Sequence, residues 1–300
     1  MKILLIYYTG TFNTRYICNM VKNKFLEQSH QVDVFEWSYD GPQTISMEGY
    51  DIIGFGYPIY GFNIPSMFIK FLKKQKYPSQ ARYFVFKNSG ETYSANDSSS
   101  HQLDNVLKKY KCHIDNEYHF MMPYNIHFRY EDELVHEILK MDDLLADILV
   151  YEIINKINHN KKYKLINDLI AITVRLQYLG GPVNSLFMKV DNKKCVGCKK
   201  CILDCPVHNI YVDKKGKIKF HHHCVMCMRC TLFCPKDAVI FGLFASWKVN
   251  GRYDLDKIKS MDVDHKIITK DTEGFFKCYI KTYNYINDRH DELFNKNISD

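Results

Sequence analysis

Residues 195–206 read CVGCKKCILDCP and residues 224–235 read CVMCMRCTLFCP, two copies of the pattern C-x2-C-x2-C-x3-C-P. Steps of three residues bring successive thiolates to one side of a tightly wound loop, so each copy can hold three corners of an iron–sulfur cube. The proline then turns the chain away, and in this spacing the last cysteine serves the neighbouring cube. The pattern predicts one [4Fe–4S] cluster on Cys195, Cys198, Cys201 and Cys234 and a second on Cys224, Cys227, Cys230 and Cys205. Structural zinc explains less, because zinc sites use C-x2-C pairs on a longer loop and leave the third cysteine of each triplet and both prolines without a role. Disulfides fit less well still, since nothing at the N-terminus has the pattern of an export signal.

The rest of the composition is that of a protein with ordinary cores. Three hundred residues, 46% of them apolar, suggest two domains. No uninterrupted apolar stretch is long enough to cross a bilayer. The nearest, Leu165 to Leu179, contains Asn167, Asp168, Arg175 and Gln177, so a soluble cytoplasmic chain without a membrane span is expected. Eleven cysteines imply a reducing compartment. Eight are assigned to metal, and Cys18, Cys112 and Cys278 are expected to be free buried thiols. The formal charge of +7 does not point to nucleic acid, because two oxidised clusters of roughly −2 apiece offset more than half of it. The lysines are also spread along the chain, and the run at 161–164 reads as a solvated turn.

Lys2 to Tyr8 (KILLIYY) is a continuous apolar run, as in a strand buried on both faces of a parallel sheet. It leads into Thr9-Gly10-Thr11-Phe12-Asn13-Thr14 and then a helical stretch to about Gln28. Strand, short hydroxyl-rich loop and helix N-terminus together make an anion site. Neither G-K-[ST] nor G-x-G-x-x-G is present, which excludes a nucleoside-triphosphate loop and a dinucleotide fingerprint. Further strands are expected at Gln31–Trp37, Asp51–Gly56, Arg82–Lys87 and His113–Met122. Helices are expected at Pro65–Lys74, Asn96–Tyr110 and Asp132–Ile157. This alternation predicts an α/β doubly wound parallel sheet with its ligand beyond the C-terminal strand ends. There Pro58-Ile59-Tyr60-Gly61 and Asn88-Ser89-Gly90, with Tyr93, suit a flat aromatic ligand, although the same aromatics could simply close the core. The first and third strands end in Tyr7-Tyr8-Thr9 and Gly54-Phe55-Gly56, so the carboxylates of a phosphorylatable receiver are missing.

On these motifs the first 157 residues resemble a flavodoxin, with T-G-T-x-N-T as the FMN phosphate loop and G-Y-P-I-Y-G as the loop over the flavin ring. Residues 190–241 are similar to a bacterial-type ferredoxin with two cubane clusters. The order resembles a family of flavodoxin–ferredoxin fusion proteins common in anaerobes. The resemblance implies that Thr9, Gly10, Thr11, Phe12, Asn13 and Thr14 hold the FMN phosphate. It also implies that Pro58, Ile59, Tyr60, Gly61, Asn88, Ser89, Gly90 and Tyr93 border the ring, with the Gly61 peptide free to flip. The implied domains are 1–157 for FMN, 158–189 as a helical linker, 190–242 for the small α+β ferredoxin part, and 243–300 as an extension of no assigned role. In that extension Phe276, Ile280 and Tyr283 recur at helical spacing.

Three features stand apart. Asn209 occupies the position before Ile210 where ferredoxins usually have a small residue, which is expected to alter packing over one cluster. Asn158-His159-Asn160-Lys161-Lys162 reads as a polar break, followed by a helix stopped at Gly180-Gly181-Pro182 that sets the spacing between flavin and clusters. His221, His222 and His223 read as a polar strand end. The reading is an electron carrier passing electrons between FMN and two [4Fe–4S] clusters and on to redox partner proteins. The alternative is an FMN-dependent oxidoreductase of a quinone or nitro compound, which needs one face of the ring open.

Overall fold

The structure, a computed structural model, describes residues 1–159, 163–249 and 251–295. Residues 160–162 of the expected polar break, residue 250 and residues 296–300 lie outside the described residues. Five strands form one parallel sheet: β1 (Lys2–Tyr7), β2 (Gln31–Glu36), β3 (Ile52–Pro58), β4 (Arg82–Ser89) and β5 (Asn116–Met121), in the order β2-β1-β3-β4-β5. That is the flavodoxin-like doubly wound order. The KILLIYY run is buried because it lies in the interior of the sheet with helices over both faces. Helices α1 (Asn13–Glu27) and α4 (Asp132–Ile154) pack on one face, around Phe25, Phe84 and Phe86. Helices α2 (Ser66–Leu72) and α3 (Ser98–Leu107) cover the other, around Phe55, Phe68 and Phe71.

α4 is buried on two sides, which its sequence requires: Val135, Leu139, Ala146 and Leu149 are as deeply enclosed as Ile138, Leu145 and Ile148. A helix apolar all round needs a partner on each side. The second partner comes from the end of the chain, after two further helices, α5 (Leu165–Val174) and α6 (Gln177–Ser185), and the cysteine-rich region. α9 (Leu255–Lys259) and α10 (Lys277–His290) pack back onto α4, and Tyr279, Tyr283 and Ile286 join the core that contains Ile3 and Leu5. The expected helical spacing around Tyr283 is present, and the described residues 251–295 pack into the first domain's core, whereas Phe244 and Trp247 pack with the cysteine-rich region.

The cysteine-rich region folds as a small two-fold repeat. β6 (Lys189–Val190) pairs antiparallel with β9 (Val239–Ile240), β7 (Ile210–Val212) pairs with β8 (Ile218–Phe220), and the one-turn helices α7 (Lys200–Leu203) and α8 (Arg229–Leu232) sit at equivalent places. The two copies wind alike: Gly197 and Met226, Lys199 and Met228, and His208 and Asp237 all have positive φ. Five of these six positions carry side chains that disfavour this backbone, so the winding is imposed by the loop as a whole.

One expectation is corrected. Gly180-Gly181-Pro182 does not stop a helix, because α6 runs through it to Ser185 with Pro182 inside. The break falls earlier, between Val174 and Gln177. Gly181 is required for a different reason: a Cβ there would overlap the main-chain carbonyl of Cys224. Gly181 thus admits the cluster loop against the helix.

Asp142, on α4, is fully buried and accepts a hydrogen bond from the Met121 N–H (3.0 Å) at the end of β5. Desolvation raises its pKa well above the usual carboxylate value, with the Met121 bond opposing. A carboxyl with a raised folded pKa gives full stability below its unfolded value and loses it as pH rises. Asp142→Asn keeps the acceptor and removes the titration. Its thermal midpoint is expected to exceed that of the parent at pH 8 and to converge with it near pH 4, as followed by circular dichroism.

Candidate functional site

At the C-terminal ends of β1, β3, β4 and β5 the loops enclose a cavity of about 310 Å³, within the range of small-ligand sites of roughly 300–1,000 Å³. Thr9, Gly10, Thr11, Asn13 and Thr14 line it on one side, Pro58, Ile59, Tyr60 and Gly61 on another, and Asn88, Ser89 and Gly90 on a third. Thr14 Oγ1 donates to Asn88 Oδ1 (2.7 Å), and Asn13 Nδ2 donates to the Pro123 carbonyl (3.2 Å), which locks the first turn of α1 to the strand ends beside it. The first N–H groups of that helix have no intrahelical partner. The buried Thr9 hydroxyl is also without a partner among the described residues. Donors gathered at a helix N-terminus with spare capacity suit a phosphate.

Two of the expected residues do not line the cavity. Tyr93 is 45% exposed and outside it. Phe12, at φ 73°, turns its ring away to meet Phe233 edge-on at 5.2 Å and to lie under the guanidinium of Arg229 at 4.3 Å. Its role is to join the two halves of the molecule. Tyr124, whose ring lies against Gly90, also lines the cavity, and it is accompanied by Asn125, which donates to Thr11 Oγ1 (2.5 Å). Both follow β5. The rule that ligands sit beyond parallel strand ends, applied to Pro123-Tyr124-Asn125 as well as to the earlier loops, finds them in the sequence. Glu91 lines the same wall, its carboxyl pKa raised by burial against hydrogen bonds from Asn96 and Tyr124.

The Gly61 carbonyl accepts from Asn63 Nδ2 (2.6 Å), and the same amide donates to the Ala171 carbonyl of α5 (2.9 Å). The peptide expected to be free to flip is therefore tied to the segment expected to be a linker. Gln177 Nε2 donates to the Tyr60 carbonyl (2.8 Å) and Tyr178 Oη to the Ile64 carbonyl (2.5 Å). α6 thus roofs the cavity and does not act as a spacer.

The cysteines fall into two further cavities. One is lined by Cys195, Cys198, Cys201 and Cys234, the other by Cys224, Cys227, Cys230 and Cys205. The fourth thiol of each set crosses to the other copy's triplet, where it is held by equivalent bonds: Asn209 N–H donates to Cys205 Sγ and Ala238 N–H to Cys234 Sγ, both at 3.2 Å. Desolvation pushes the Cys201 and Cys224 thiols up to about 11 and Cys227 to about 12. Buried sulfurs of this kind become thiolates only with the compensating charge of a bound metal centre, so binding must release protons. Asn209, the departure from a small residue, is buried and cross-linking: its amide donates to Ser185 Oγ (3.2 Å) and its carbonyl oxygen accepts from the His223 N–H (2.9 Å). His221 and His223 lie stacked on one side of their strand end, 5.4 Å apart.

A family model described as a 4Fe-4S dicluster domain matches residues 194–239. The chain joins a flavodoxin-like fold to a 4Fe-4S dicluster domain. Dicluster domains carry electrons, and two [4Fe–4S] clusters are the cofactors of this one. Among solved structures, oxidised Flavodoxin 1 from Bacillus cereus is similar at 18% identity and a TM-score of 0.35, over 49% of this chain and 98% of that one. Flavodoxin 2 from the same organism is similar at 16% and 0.39, over 52% and 99%. The strand order β2-β1-β3-β4-β5 is itself that of the flavodoxin-like fold. A search of curated proteins finds none that matches the chain.

The two domains touch at the functional loops. Arg229, between Cys227 and Cys230, donates to the carbonyls of Thr9 (2.7 Å), Gly10 and Asp204 (2.9 Å). A Cβ on Gly10 would lie 3.1 Å from that of Cys227 and would overlap the Tyr60 hydroxyl, so the glycine lets phosphate loop and cluster loop meet. Cys224 and Cys227 line the large cavity itself. The crossed ligand sets make a specific expectation: Cys205→Ser damages the cluster of Cys224, Cys227 and Cys230 and spares that of its own triplet, as read by electron paramagnetic resonance of the reduced protein. Selective loss of the other signal contradicts it.

Proposed function

We propose that the chain is an electron carrier in which FMN fills the large cavity and exchanges electrons with the Cys224 cluster, which in turn serves the Cys195 cluster. The observation that carries this reading is the shared wall: Cys224 and Cys227 line both the cluster cavity and the cavity lined by the phosphate loop. FMN supplies a couple of one or two electrons and each cluster takes one, so the pair can split or gather a two-electron input. The chain's own residues bind and shield. Thr9, Thr11 and the first N–H groups of α1 hold the phosphate, Tyr60 and Tyr124 flank the ring, and α6 keeps water from the roof. Cys198 is exposed, which makes the Cys195 cluster the contact for a redox partner protein.

A reductase of small acceptors needs an open ring face, and the roof formed by Gln177, Tyr178 and Gly181 disfavours it.

Thr9→Val with Thr11→Val removes two hydroxyls without changing side-chain shape. Hydrogen bonds to a charged group contribute about 1.5–3 kcal/mol each, so FMN affinity is expected to fall at least about a hundredfold while riboflavin affinity, measured by fluorescence quenching, stays within about twofold. Equal loss for both ligands would move the phosphate elsewhere.

A further inference from the structure

α5 and α6 carry their polar side inward. Asp168 pairs with His101 (2.7 Å), Asn167 donates to the Ser94 carbonyl (2.8 Å) and Arg175 to Asn63 Oδ1 (2.9 Å). With Gln177 and Tyr178 already bonded to the ring loop, the inner face is committed to the flavodoxin-like domain. The outer face is apolar. Leu165, Leu169, Ile172 and Leu176 follow one stripe at steps of four, three and four, and Leu179 and Leu186 continue it along α6. Leu165, Leu176 and Leu179 are 76%, 71% and 63% exposed. Asp168 and Arg175 are the only charged residues between positions 165 and 188, and both are engaged on the inner side. A soluble surface helix shows the opposite arrangement, and a contiguous exposed apolar stripe marks an interaction surface.

The ends of the stripe identify the partner. Lys164 precedes α5, and Lys189, Lys193 and Lys194 follow α6, all exposed. The one carboxylate among them, Asp191, accepts from the Lys193 N–H (2.9 Å), and the four lysines outweigh its charge. An uncharged apolar stripe with lysines at both ends complements a surface that is apolar within and anionic at its rim. Self-pairing through the stripe would set lysine ends against lysine ends. Helices of ten and nine residues are too short to span a bilayer, and among the described residues no helix is long and apolar enough to do so.

We propose that the α5–α6 face lies on the surface of an anionic lipid bilayer, with the large cavity directly beneath the docked helices. The apolar stripe enters the headgroup boundary and the lysines reach the acidic headgroups. The redox reading is not needed for this, since the face stands on α5 and α6 alone.

Flotation of the full-length, cofactor-loaded protein with vesicles tests it. Binding to phosphatidylcholine mixed with phosphatidylglycerol is expected to exceed binding to phosphatidylcholine alone by roughly tenfold or more at low salt and to fade as salt is raised. Leu169→Gln with Leu176→Gln and Leu179→Gln should abolish it. Lys164→Gln with Lys189→Gln should weaken it by roughly thirtyfold, and gives an independent arm should the triple variant fail to fold. Absence of binding to the anionic vesicles, or binding unchanged in both variants, overturns the proposal. A concentration-dependent dimer dispersed by the triple variant, without vesicle binding, overturns it in favour of a second copy.

Discussion

A single buried cation holds the two cofactor regions together. The Arg229 guanidinium lies between Cys227 and Cys230, donates to the carbonyls of Thr9, Gly10 and Asp204, and rests on the Phe12 ring. Removing such a charge from water is costly unless its donors are satisfied. Here they are satisfied by Thr9 and Gly10 of the phosphate loop together with Asp204. Its positive charge also opposes the burial that raises the Cys227 thiol, and so favours a thiolate at that position. The same contact fixes the position of the loop and steadies a cluster ligand. Because the donors are geometrically demanding, the two loops cannot separate without leaving a buried guanidinium unpaired.

The remainder of the chain is wrapped around that junction. α6 touches the ring loop through Gln177 and Tyr178 and the cluster loop through Gly181. Asn209 ties the same helix to Cys205 and to the strand end at His223. From the other direction α10 reaches the Asn88–Tyr93 loop: the Tyr279 hydroxyl donates to the Gly90 carbonyl, and Thr92 Oγ1 donates to the Cys278 carbonyl (3.2 Å). Segments that follow the sheet in sequence therefore clamp the loops at its C-terminal edge. The molecule is interleaved, with the last helix returning to the first domain's core, and its two redox folds are not beads on a tether.

What the sequence revealed and what it hid follow from the range of the interactions. The cysteine spacing and the KILLIYY–TGTFNT junction are local, and both led to the right element at the right place. The five strands and the helices between them are set by apolar periodicity and were legible for the same reason. Local position after β4 suggests Tyr93 for the ring, but it says nothing about the return of Tyr124 from β5 to fill the space beside Gly90. By sequence Phe12 belongs with its neighbours in the phosphate loop, but its ring pairs with Phe233, a residue more than two hundred positions away. The roof was hidden in the same manner: Gly-Gly-Pro is a stop signal by local rules, and only the approach of the Cys224 carbonyl explains why α6 runs through it.

The central claim is that flavin and clusters meet within one molecule through the Arg229 junction. Laser-flash reduction of the flavin in the cofactor-loaded chain, followed by bleaching of the cluster absorbance, tests it most directly. The account predicts a single-exponential transfer whose rate is unchanged over a wide range of protein concentration, and which slows in Arg229→Gln while iron and flavin contents are retained. A rate that rises in proportion to protein concentration, or one indifferent to Arg229, would mean that the electrons pass between molecules or by another route.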